Sequence, residues 1–523
     1  LQIFAGWNGR RPAEDGGSSP RVQTELDSVL EGRLRATLES LLSKKKLVGA
    51  QVAIIHSGRL VCDLAVGTLS TIDARPVEQT TRFPLLGAAA GIASLALLRS
   101  IRRSADQLKE SPSDGPLLQT PVTRIWPQFC GGHSDITLAQ LLSHSVGLQD
   151  AFPDDFKSSS LDDLPAMVQH LENEGVVSES GTRYAYILQA FALAKLGGCL
   201  TPQDELLHWI GSELGPLGLD AALPAGRGQE ASVCRDLPQL ARVSMNEVSS
   251  ARARRRSQVS SETEQVGGSA GSRSPAEGKK PWKHSLLQAL AADPLTFDPL
   301  QGNSNQGGLF RGGLSIGASA RGLAELLASQ ELQDDLAQLQ ALELAGFDKS
   351  AIGWMLTGGA TQFTAGGLQA LQLRPRGAKA LLGRRQGGYG VVSGFGPVVA
   401  HFPDLAPGGV TVAVLVNDVL HGRSAAAQIV TAALEGFSMV PAWPEVTMNV
   451  LTDAAQLARS PELAPKFEQF GGIEGLTKLF DLQTGEHEQA GAGGPGLEKS
   501  CLQQAGSGLL RCVSGCSAVC QSR

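Results

Sequence analysis

The chain counts 523 residues, 42% of them hydrophobic, 18% charged and 5% aromatic, with 62 glycines and a formal net charge of −6. This is the composition of a soluble globular protein with room for two or three domains and a large core, cut by many loops. The weak acidity offers nothing to a nucleic-acid backbone or an anionic membrane surface, and no apolar run reaches the roughly 18 to 20 residues of a membrane span.

The chain begins at Leu1 rather than at a methionine, so the natural start is expected upstream. Residues 1–23 are rich in Gly, Ser and Pro and read as a disordered leader without a visible targeting segment. Over 24–47, Leu30, Leu34, Leu38 and Leu41 recur at the helical period. The stretch VGAQVAIIHSGRL then predicts a strand, a turn at Ser57 and Gly58, and a second strand through Val66. From Phe83 to Leu98 there is no charge, small residues crowd the first half, and Ile92, Leu95, Ala96 and Leu98 keep the spacing of a buried helix. A central core helix over 82–103 follows.

RIWPQF leads into a predicted helix over 136–148, with Thr137 near its start and Gly147 at its end. An amphipathic helix is expected over 161–174 and a mostly apolar one over 183–196. The segment 244–283 has almost no apolar residues and reads as a disordered insertion. Its basic cluster, Arg252, Arg254, Arg255 and Arg256, fits a solvated or phosphorylation-regulated loop better than a nucleic-acid site. Ser319 caps a helix through Leu327. Over 358–418 alternating valines between Gly and Pro turns predict an antiparallel meander, closed by a helix over 425–434. The sum is α+β, an antiparallel sheet shared by the two ends of one domain over 24–440 and flanked by helices plus a helical lobe. Residues 441–523 read as short helices and a low-complexity tail.

Among eight cysteines, Cys62, Cys130, Cys199 and Cys234 sit in apolar surroundings and read as buried thiols. Cys501, Cys512, Cys516 and Cys520 lie in the tail without the spacing of a metal or redox site, and no metal or other cofactor is expected.

The stretches VGAQVAIIHSGRLVCDLAVG, PVEQTTRFPLLGAAAGIAS, ITLAQLLSHSVGL, SGTRYAYILQAFALAKL and SIGASARGLAELLAS resemble the serine β-lactamase and penicillin-binding-protein-like family of class C type. They look closest to the β-lactamase-like region fused to atypical UbiB-type kinases of plants and algae, and LLSHSVGL is the most specific. The resemblance implies a β-lactamase/transpeptidase-like fold and, by analogy with the fusions, an intracellular setting such as a plastid or mitochondrion, with a kinase region upstream.

That family's chemistry needs a serine at the N-terminus of the central helix and a lysine one turn later to take its proton. A tyrosine near an asparagine, a Lys/His-x-Gly stretch on the sheet, and backbone donors for the developing oxyanion complete it. Here the nucleophile position is Gly87 and the base position Ala90. Tyr186 matches the tyrosine as a remnant, Leu188 replaces the asparagine, and Gln386 and Gly388 stand for the cation and the glycine. Such groups act as a unit, so losing serine and lysine together removes covalent catalysis. The leading expectation is a degenerate member that binds an unknown small molecule or protein in its cleft. The alternatives are an active esterase or amidase with a different nucleophile, and a scaffold working through 244–283.

Ser43 to Lys46 also spells Ser-x-x-Lys but fits a solvated helix end. Gly313 to Gly317 spells Gly-x-Ser-x-Gly, with Asp404, Asp418 and His421 downstream, yet lacks the preceding strand that a nucleophile elbow requires. His144 is expected to bond backbone near a helix end, and His401 and His421 show no carboxylate at motif spacing.

Overall fold

In the computed structural model of the chain, the described residues are 20–108, 115–132, 135–146, 148, 160, 163–173, 186–201, 206–220, 316–348, 361–375, 386–418, 421–437 and 439–441. Residues 1–19, the 244–283 insertion, Cys234, Gly147 and the tail cysteines lie outside them.

Helix α1 (Pro20–Ser43) starts inside the expected leader and buries Leu30, Leu34, Leu38 and Leu41. Each such leucine contributes roughly 1.5–3 kcal/mol. Strands β1 (Gly49–His56) and β2 (Arg59–Gly67) follow, joined at Ser57 and Gly58, whose φ angles of 53° and 73° give the doubly left-handed turn that suits a tight hairpin. Next come β3 (Phe83–Pro84), α2 (Ala89–Arg103), α3 (Ala105–Leu108), α4 (Leu138–Leu142), α5 (Leu164–Asn173), α6 (Tyr186–Leu200) and α7 (Leu206–Leu214). β4 (Gly317–Ala318), α8 (Ala320–Ala328) and α9 (Gln330–Gln338) lead into β5 (Leu344–Asp348), β6 (Thr361–Thr364), β7 (Gln369–Pro375), β8 (Gln386–Val392), β9 (Val398–Phe402) and β10 (Val410–Val416). Helix α10 (Gly422–Glu435) and β11 (Met439–Pro441) close the described chain.

The large sheet runs β2-β1-β10-β9-β8-β7-β6-β5, with β11 beside β7. Strand β1 pairs antiparallel with β10, from Ala50 opposite Val416 to His56 opposite Val410, so the two chain halves share one sheet as expected. Strand alternation sorts the core into two layers. Val52, Ile54, Ala400, Phe402, Val412 and Val414 pack with the apolar faces of α1 and α10. On the other face Ala53, Tyr389, Val391, Val399, Ala413 and Leu415 join the core built around α2 and α8.

Helix α2 is buried from Ala89 to Ile101, as a helix apolar on every side must be. It begins seven residues later than the expected 82–103. The cause is local: Phe83 and Pro84 pair with Ala318 and Gly317, the Leu85 N–H donates to the Ile316 carbonyl, and Leu86 turns left-handed at φ 49°. The expected 136–148 helix is likewise cut to α4. Thr137 and Gln140 form a capping box at its start, and His144 ends it at φ 59°.

The last turn of α2 is held by ions. Arg99 is buried and donates to the Glu213 carbonyl at 2.9 Å, to Asp335 Oδ2 at 2.7 Å and to Glu331 Oε1 at 2.6 Å. Ser100 Oγ accepts from the Trp209 indole at 2.8 Å, and Arg103 reaches Glu213 at 3.1 Å. Helices α7 and α9 are thereby fixed to the central helix.

Candidate functional site

The site expected from the resemblance lies where α2 begins. The single-turn helix Leu86–Ala88 precedes it, and Leu86, Gly87, Ala88, Ala89 and Ala90 are all buried. The N-cap, Ala88, offers no side-chain acceptor. Neither Gly87 nor Ala90 can attack a carbonyl, take a proton or carry charge. Left-handed backbone at a leucine costs on the order of 1–2 kcal/mol, and Leu86 holds that conformation immediately before Gly87.

Tyr186 opens α6, a helix that packs against α2, and Leu188 two residues on is fully buried in the core. The next residue, Gln189, donates from Nε2 to the carbonyls of Leu141 and Leu142 at 3.0 and 2.7 Å, tying α6 to the end of α4. Ser94, one turn beyond Ala90, donates to the Ala90 carbonyl at 3.1 Å. Ser143 and Ser145 bond one another at 3.0 Å. Each of these hydroxyls bonds a carbonyl or hydroxyl oxygen.

Strand β8 passes the start of α2, but Gly388 is not the residue it turns toward the helix. A Cβ on Gly388 would come within 2.3 Å of the Phe402 ring, which belongs to the layer of α1 and α10. The residue that meets α2 is Val391: a Cβ on Gly91 would fall 2.5 Å from its Cγ2. The structure therefore brings Gly87, Ala90, α6 and Val391 to one place and directs Gly388 to the opposite face. Tyr389, on the helix side of β8, is buried with its hydroxyl on Gln333, and burial raises its pKa.

Three histidines complete the inventory. His144 is buried against Phe363, ring centroids 4.5 Å apart, and burial lowers its pKa to about 3. His401 bonds Thr411 Oγ1 at 2.8 Å, and burial lowers it to about 4. Both rings are neutral at physiological pH. His421 corrects the sequence expectation. Its Nδ1 lies 3.2 Å from the fully buried Asp418 carboxylate, and its backbone N–H donates to the same carboxylate at 3.1 Å, just ahead of α10. Ser315 of the Gly-x-Ser-x-Gly stretch lies outside the described residues, and β4 begins at the motif's last residue, Gly317. Ser43 through Lys46 are exposed at the end of α1. Cys62 and Cys130 are buried, the Cys62 thiol being pushed up to about 12 by burial. Cys199, expected inside, is exposed at the last turn of α6. Among the described residues no group of three His, Cys, Asp or Glu side chains could hold a metal ion, and no helix is long and apolar enough to cross a membrane.

Sequence reasoning missed Val391, Gly91 and Gln189. For the first, the signal was present: in GYGVVSG the alternation that buries Tyr389 also buries Val391.

Comparison with known proteins agrees with this architecture. The Beta-lactamase family profile matches residues 34–210. Esterase EstB of Burkholderia gladioli is 32% identical over 130 residues, which make 24% of this chain and 30% of the esterase. The chain thus spans less than a third of that curated relative. A novel penicillin-binding protein homolog from Caulobacter crescentus superposes with a TM-score of 0.52 at 17% identity, over 78% of this chain and 97% of its own. A family VIII carboxylesterase gives 0.53 at 15%, again over 78% and 97%. The fold is β-lactamase/transpeptidase-like, in keeping with the Beta-lactamase profile over residues 34–210.

Proposed function

We propose that this protein is a catalytically degenerate member of the fold, a binding or regulatory module that holds a small molecule or a protein segment in the cleft at the start of α2 without forming an acyl-enzyme. The observation that carries the reading is the first turn of α2, where Gly87 and Ala90 stand buried among apolar neighbours and Val391 closes the sheet side. Tyr186 is the remnant of the proton-transfer set, with Leu188, Gln386 and Gly388 as its degenerate companions. One domain over 24–440 carries this role, with 244–283 as an insertion. The likeness to UbiB-type kinase fusions, with a kinase region upstream, belongs to the same proposal, and sequencing the full-length transcript tests it.

The experiment is covalent labelling with a fluorophosphonate and with a fluorescent penicillin. The wild-type chain should stay unlabelled, and the double variant Gly87→Ser, Ala90→Lys should gain labelling at the new serine. Stoichiometric labelling of the wild type would overturn the proposal and name the nucleophile by peptide mapping. A second reading, an esterase working through another nucleophile, is favoured by the identity with Esterase EstB and by the His421–Asp418 pair, since a buried carboxylate on Nδ1 is how a histidine base is oriented. Labelling abolished by His421→Gln would establish it.

A further inference from the structure

The two ends of 221–315 are fastened to each other and to the strand that leads into the site. Ahead of that segment the chain leaves α7 through Gly218, left-handed at φ 99°, and reaches Asp220. Asp220 Oδ1 accepts the Ser319 N–H at 2.9 Å across a separation of 99 positions, and the Asp220 carbonyl accepts from Arg82 Nε at 3.1 Å. There is no slack in this clasp: a Cβ on Gly322 would lie 2.5 Å from Asp220 Oδ1 and 3.0 Å from the Gly218 carbonyl. Gln51 of β1 joins the same knot. Its Oε1 accepts the Ala320 N–H at 2.9 Å, and its Nε2 donates to the Thr81 carbonyl at 2.8 Å. Two residues further on, Phe83 and Pro84 pair with Ala318 and Gly317, and the Leu85 N–H donates to the Ile316 carbonyl at 2.8 Å. The next residue is Leu86, at φ 49°, and then Gly87.

A leucine stays in the left-handed region only while its surroundings over-determine it. Here the last bond fixing the backbone ahead of Leu86 comes from Ile316, the first described residue after 221–315. We infer that the Asp220 clasp and β4 form a conformational switch on the opening of α2. With the clasp fastened, Leu86 is held left-handed and Gly87 and Ala90 keep their present setting. With it loosened, β4 comes away from β3, Leu86 relaxes, and the opening changes shape. Load on 221–315 reaches the opening through Asp220 and Ile316, because both of its ends meet at the clasp, while the pairing of β1 with β10 is untouched. The effect on what the cleft holds rests on the reading of that cleft as a non-covalent binding site; the backbone switch itself does not.

The test is hydrogen–deuterium exchange of the full chain, read on peptides covering 83–90 and, as the reference, 410–416. Asp220→Ala removes the acceptor of the Ser319 N–H and should speed exchange over 83–90 on the order of ten-fold, the effect of one ordinary hydrogen bond, with 410–416 unchanged. Asp220→Asn keeps an acceptor oxygen and should stay near the wild type. Gly322→Ala forces the clasp from the α8 side while favouring the helix, so it should speed the same peptide and carries the test if Asp220→Ala does not fold. Unchanged exchange over 83–90 in both variants, or an acceleration that 410–416 shares equally, would overturn the inference. No ligand enters the readout, so its failure leaves the binding reading standing. Covalent labelling of the wild type by a fluorophosphonate would sink the binding reading and leave the coupling in place.

Discussion

At its last turn α2 is gripped by a buried guanidinium with three partners on two other helices; at its first turn it has no cap, no charge and two residues without functional groups. One turn in, the neutral Ser94 hydroxyl donates to the Ala90 carbonyl. The difference teaches that the central helix is held by charge at one end and, at the end where the family's chemistry would sit, by backbone pairing of β3 with β4. A reactive pair can be absent there while the helix keeps its place, because α7 and α9 hold it from the other end.

The sharpest way to break this comparison is at the charged end. Arg99→Ala strands the Asp335 carboxylate and the Glu213 carbonyl, and removing one partner of a buried ion pair costs about 3–5 kcal/mol. Urea unfolding should read that loss, and a change below about 1 kcal/mol would show that the network is ornamental. The two buried histidines predict acid sensitivity. His144 and His401 titrate near 3 and 4 in the folded chain, against 6.5 when unfolded. A lowered folded pKa means that their contribution is intact above pH 6.5 and lost as pH falls from there toward 4, because the unfolded chain takes the protons first. At pH 5 each histidine should have cost about 2 kcal/mol, and His144→Gln should flatten the pH slope by its share.

A smaller effect is expected where helix and sheet touch. Gly91→Ala sets a methyl against Val391 and should cost about 1–3 kcal/mol by overpacking, largely recovered in the double variant with Val391→Ala. The smallest belongs to the half-exposed pair at α10. His421→Ala should change stability by about 0–1 kcal/mol, as expected of a pair that water reaches. Thermal unfolding of both sets checks the order.

Much of the fold could be read before the structure, because period carries it. The leucines of α1, the β1–β2 hairpin and the alternating valines of β9 and β10 each repeat often enough to fix both type and face. Elements too short to show a period were missed: β3 and β4, two residues each, and β5 with its Gly346. These short pieces decide where α2 begins. The apolar character of the helix opening was legible from Gly87 and Ala90 alone. The sheet side was not, since shifting a strand register by one residue reverses every side chain. Gly388 faces Phe402 in the other layer, and Val391, on the helix side of β8, was overlooked. The Arg99 network joins partners 114 to 236 positions away, which no local pattern encodes.

The seam between β1 and β10 has a consequence for how the molecule is made. Gly49 donates to the Asn417 side chain across a separation of 368 positions, and β1 finds its inner neighbour only when β10 has left the ribosome. Until then the first hairpin presents a long, oily, unpaired border. A product truncated before residue 410 keeps that border permanently, and such fragments should collect in insoluble material while the longer chain does not.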